Sequence, residues 1–196
     1  MKEQVESIMR RLNERETLQS LSPRKVWDEN LEADIEALDL PNKHSDFRMI
    51  ALLAGLHLRN DSLYNSHSYA QKIEYDPIGA YWHGIMHRME GDYSNSKYWF
   101  RQVGHHPIMD LLKQKIAEWL RVEVKLDTFP QGRIRDTLLS FQEESGWNSS
   151  SFVDLIVWQE SSAAKDSTRH ILEQLQRIEI MELFELTMSQ ITTWEK

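Results

Sequence analysis

Residues 77–107 read PIGAYWHGIMHRMEGDYSNSKYWFRQVGHHP, and this stretch decides the fold. Ile78, Tyr81, Trp82, Ile85 and Met89 recur at three- and four-residue intervals, which places them on one side of a helix. Tyr93, Ser96, Lys97, Phe100 and Val103 do the same beyond Gly91-Asp92. A glycine can take the left-handed conformation that ends a helix, and an aspartate can cap the next one. The pattern therefore predicts two antiparallel helices joined by a tight corner, with four of the chain's eight histidines in or beside them.

The same design occurs once before. Shifting the chain forward by thirty residues pairs His57 with His87, Asn65 with Asn95, Ser66 with Ser96, Pro77 with Pro107 and Ile78 with Ile108. Ala54 then meets Gly84, Leu56 meets Met86 and Ile73 meets Val103, so small and apolar positions match as well. A fixed period of this size marks stacked supersecondary units.

Gly84, the Gly91-Asp92-Tyr93 corner, Ser96 and Phe100 resemble the tetratricopeptide pattern, and Leu53, Ala54, Leu63, Ser66 and Ala70 give a looser copy. The thirty-residue period is shorter than the usual one of about 34. Tyr81 to Gln102 also resembles an all-helical family that carries a WHGIMHR string followed by YWFR, which implies the fold and no particular activity. The tetratricopeptide resemblance implies stacked hairpins, an α-α superhelix with a concave face that binds peptides or proteins. In that register Arg48, Arg59, Tyr81 and Arg88 line the face. Guanidinium groups bind carboxylates and phosphates bidentately, so an acidic peptide or small anionic ligand is the expected guest.

A second reading comes from the histidines. His83 and His87 stand four apart, so their rings share a helix face and can reach one metal ion. His57, at the repeat-equivalent position of His87, is the expected third ligand, with Asp61 or Glu90 to complete the set or serve as base. That set would make the protein a hydrolase dependent on a divalent metal such as zinc; the binding reading calls for no cofactor. The alternative role for these imidazoles is packing between helices, and HExxH is absent because Gly84 follows His83. His105 and His106 are expected near a helix carboxyl end, where the dipole favours them.

Length and composition narrow the rest. The 196 residues suit one domain, read as amino-terminal helices over 1–45, two hairpins over 46–108 and carboxyl-terminal helices over 109–196, about ten helices in all. Net charge is −8, which disfavours nucleic acid as a partner. The longest apolar run, Met49 to Leu56, is too short for a membrane span, and the charged start MKEQVESIMRR is unlike a signal peptide, so a cytoplasmic protein is expected. With no cysteine, thiolate chemistry and disulfides are excluded. No P-loop, GxGxxG, GxSxG or EF-hand loop is present.

Outside the hairpins, Ser22-Pro23 predicts a helix start, with Trp27, Leu31, Ile35 and Leu38 on its buried face. Val122, Val124 and Leu126 alternate and allow a short edge strand. Asn148 and Asp166 are expected to cap two further helices. The second of these, with Ile171, Leu175, Ile178, Met181 and Phe184 at helical spacing, is long enough to lie across the repeats or to form a homodimer.

Overall fold

A computed structural model describes residues 2–143, 147–161 and 166–191, and the side chains of 166 and 167 lie outside the description. Among these residues the chain is all-α. Its ten helices are α1 (Lys2–Asn13), α2 (Glu29–Glu36), α3 (Phe47–Arg59), α4 (Leu63–Ala70), α5 (Pro77–Glu90), α6 (Tyr93–Val103), α7 (Pro107–Glu123), α8 (Arg133–Phe141), α9 (Ser149–Ser161) and α10 (Asp166–Ser189). They group into two compact units: residues up to Gly104 with those from Leu183, and residues from His105 to Glu182. No helix among the described residues is long and apolar enough to cross a membrane.

The first unit is built on two hairpins, α3 with α4 and α5 with α6, whose details repeat thirty residues apart. Asp46 and Asp76 each accept a hydrogen bond from the amide two residues on, at 2.9 Å. Such a cap satisfies one of the orphan donors at a helix start. At the corners, Asp61 (φ 61°) and Gly91 (φ 91°) both take the left-handed conformation, and the next amide returns to the carbonyl of His57 or His87 at 2.9 Å. Within each hairpin a buried serine closes the pair: Ser66 Oγ donates to the Ala54 carbonyl at 2.9 Å, and Ser96 Oγ to that of Gly84 at 2.7 Å. Gly84 is small because Phe100 lies against it; a Cβ there would stand 2.9 Å from two ring atoms.

The residues before α2 differ from the expectation. Ser22-Pro23 starts no helix; α2 begins at Glu29, where the Asp28 carboxylate accepts from the Leu31 amide. Residues 14–28 instead form a strap tied to the end of α3. Arg15 pairs with Asp61 at 2.9 Å, and the Gln19 amide donates to the Leu58 carbonyl and to Asp61, each at 2.6 Å. Trp27 is half-exposed under the Arg15 guanidinium rather than part of a buried helix face. The last turns of α10 also belong to this unit. Phe184 lies edge-on to Trp82 with ring centres 6.5 Å apart, and Thr187 Oγ1 accepts from Trp82 Nε1 at 3.2 Å. A Cβ on Gly55 would stand 2.9 Å from both Phe184 and Trp82, so this close seat requires glycine.

In the second unit, Trp147 sits between Phe141 and Phe152, 5.0 Å from each ring. Asn148 caps α9 through the Ser151 amide at 2.9 Å, as expected. The alternation at Val122 to Leu126 is no strand: α7 continues through Glu123 and a 3₁₀ turn follows at Leu126–Thr128. His106 sits at the start of α7, where its ring nitrogen accepts from the Ile108 amide at 3.3 Å, rather than at a carboxyl end. The expected cap by Asp166 lies outside the described side chains.

Candidate metal centre

The helix α5 carries His83 and His87 one turn apart, and both are buried. The preceding helix, α4, packs on α5 and supplies His67, which is half-buried. Ring centres lie 4.6 Å apart for His83 and His87, 4.9 Å for His67 and His83, and 5.2 Å for His67 and His87. Each ring offers a nitrogen within 4.8 Å of the other two. The arrangement is stacked on one side by Trp99 of α6, whose ring centre is 4.3 Å from that of His83.

Each of the three imidazoles has a distinct environment. His83 is 3% exposed, and neither of its ring nitrogens has a hydrogen-bond partner. Burial first, then the neighbouring His87 and His67, press its pKa down to about 3, so the ring is neutral at physiological pH. Burial and His87 also lower the pKa of His67. His87 is the oriented member: its Nδ1 lies 2.5 Å from Glu90 Oε1, and the Asn95 side-chain amide nitrogen, 3.0 Å from Nε2 and 3.4 Å from Nδ1, lies over the ring rather than along the Nε2 lone pair. His87, Glu90 and Asp92 form a second group with ligand atoms within 4.8 Å, but Asp92 is already engaged at the start of α6 by Ser94 and the Asn95 amide.

His57 is not one of the converging rings, which corrects the expected set. It is fully buried, with Nδ1 2.8 Å from Glu32 Oε1 and its ring stacked on Tyr69 at 5.4 Å. Glu32 also accepts from Asn60 and Asn65, each at 2.8 Å. Burial opposes ionisation of this carboxyl, yet the donors His57, Ser62 and Asn60 outweigh it and hold its pKa at about 2. Asp61, the other expected partner, pairs with Arg15 at the far side of the corner, and burial raises its pKa.

The expected groove residues do not share an open face either. Arg48 is paired with its own neighbour Asp46 at 2.6 Å. Arg59 is buried, donates to Asn13 at 2.6 Å and covers the Phe184 ring at 4.7 Å. Tyr81 and Arg88 are fully buried, both against Phe100. The correction has a physical cause: Phe184 and Thr187 of α10 occupy the face beside Gly55 and Trp82 that an external peptide would use.

His67 is the functional candidate missed in the sequence. Its signal was there in the hairpin order, because the second helix of one hairpin packs on the first helix of the next. The thirty-residue counterpart of His87 is His57, which lies on α3 and not on α4. No family model matches the chain, and no curated protein or solved structure matches it.

Proposed function

We propose that this protein binds a divalent transition metal ion through His67, His83 and His87. One observation carries the reading: a buried imidazole, His83, with two unpartnered nitrogens between two other imidazoles. Buried polar atoms in folded proteins are nearly always satisfied, and an exception calls for an ion or a water. Neutral imidazole is the ligating form and favours zinc, copper, nickel or iron over magnesium and calcium. The Glu90 carboxylate on His87 Nδ1 matches the outer partner that metal-bound histidines commonly have, fixing the tautomer with Nε2 available.

Zinc holds imidazole nitrogens at about 2.0–2.1 Å, so tetrahedral donors stand roughly 3.4 Å apart. The three nitrogens lie within 4.8 Å of one another, wider than that spacing, so the rings would turn toward one another to close on an ion. Three protein ligands leave one position for water, the arrangement of hydrolytic sites, so metal-assisted hydrolysis is the chemistry such a set supplies. We read the two hairpins that carry it as tetratricopeptide-like units. Capture of an acidic peptide by Arg48, Arg59, Tyr81 and Arg88 is the weaker reading, because three of these side chains are buried.

Metal analysis after equilibrium dialysis against zinc tests this. We expect about one ion retained per chain, lost in His67→Ala and His83→Ala and kept in His57→Ala. Retention that is the same in His67→Ala as in the wild type, or none in the wild type, overturns the assignment.

A further inference from the structure

We propose that Trp99 is a positioning residue of this centre: its indole, stacked on His83, fixes a ring that no hydrogen bond orients and stabilises the charge that ring takes on when a metal binds. The inference rests on the metal reading above. Metal-bound histidines almost always donate their other ring nitrogen to an acceptor in the outer shell. His87 has such a partner in Glu90, at 2.5 Å. His83 has none at either nitrogen, although it is buried. Its ring contacts among the described residues are His67, His87 and Trp99, and of these only Trp99 stands outside the ligand set.

The antiparallel hairpin brings the indole there. Asn95 lies over the His87 ring, and one turn further along α6 Trp99 meets His83, one turn back along α5. The indole and imidazole planes are 20° apart with centres at 4.3 Å, so the indole offers its face. An imidazole bound to a divalent ion carries part of that ion's charge, and the face of tryptophan attracts a cation more strongly than that of phenylalanine. The first hairpin shows the same position without a second histidine. Tyr69, thirty residues before Trp99, stacks on His57 with planes 10° apart, and Leu53 stands at the counterpart of His83. His57 also has Glu32 at 2.8 Å, so its orientation does not depend on the aromatic ring. In the second hairpin the stacked ring is the orienting contact that His83 has from outside the ligand set.

Zinc titration of the full-length chain against a competing chelator tests this in the wild type, Trp99→Phe and Trp99→Leu. Trp99→Leu keeps an apolar side chain without a π face and should weaken zinc binding roughly two- to thirty-fold, the span of one cation–π contact. Trp99→Phe keeps a weaker face and should fall between the two. Copper(II) quenches an indole that it approaches, so the emission lost on adding copper should be smaller in Trp99→Phe than in the wild type. A tryptophan that merely filled space would leave both the zinc affinity and the copper-dependent loss unchanged. If the wild type binds zinc and either variant binds it as tightly, the role of Trp99 is wrong and the site stands; Trp99→Phe alone decides this where Trp99→Leu does not fold. If the wild type binds no zinc, the site is wrong and the role of Trp99 falls with it.

Discussion

Replacing Glu32 with glutamine should cost stability at neutral pH and almost nothing near pH 2. In the folded chain this carboxylate accepts from His57, Asn60 and Asn65, each at 2.8 Å, in a buried setting. Its pKa is held at about 2, against an ordinary 4.5. A lowered folded pKa means that the unfolded chain takes up the proton first as pH falls. The contribution is therefore complete above pH 4.5 and disappears as pH drops to about 2. At about 1.4 kcal/mol per pH unit, the interval corresponds to about 3 kcal/mol. Glutamine keeps the shape but brings an NH₂ group toward three donors, so the variant lacks the contribution at every pH. Denaturant unfolding of both proteins at pH 7, 5, 4 and 3 measures the gap by linear extrapolation. We expect about 3 kcal/mol at pH 7, narrowing below pH 4.5. A gap that stays constant to pH 3 would show that Glu32 acts by packing and refute the charge-based account.

Other substitutions probe the hairpins. Gly84→Ala puts a methyl 2.9 Å from the Phe100 ring, and thermal unfolding should show a loss of about 1–3 kcal/mol. Gly91→Ala meets open space but forces a left-handed alanine, so a smaller loss of about 1 kcal/mol is expected by the same measurement. Ser66→Ala and Ser96→Ala each remove one buried hydroxyl bond to a helix carbonyl; chemical denaturation should return similar losses of about 0.5–1.5 kcal/mol for both. Clearly unequal values for the two serines would contradict the equivalence of the hairpins.

The hairpins were legible because their signals are local. Three- and four-residue spacing, Gly91 at a left-handed corner and Ser96 beside Gly84 all act within one turn or one hairpin, where sequence and geometry are directly linked. The thirty-residue period extended that reading to Ser66 and Ala54. The site was half legible. His83 and His87 share a face by spacing alone, but the third ring depends on which helix packs beside α5, and that neighbour is α4 rather than the repeat-equivalent α3 position. His57 was diverted by Glu32, twenty-five residues before it, a pairing that periodicity does not encode. The arginine face failed for a similar reason: Phe184 reaches Gly55 and Arg59 from about 130 residues away along the chain. Ser22-Pro23 carried a sound local signal, and the tertiary ties of Arg15 and Gln19 to Asp61 overrode it.

X-ray diffraction from zinc-soaked crystals, collected on both sides of the zinc absorption edge, tests the metal centre most directly. The account predicts one anomalous peak about 2.0–2.1 Å from a ring nitrogen of each of His67, His83 and His87. A peak that avoids His83, or a map without any peak between α4 and α5, would contradict it.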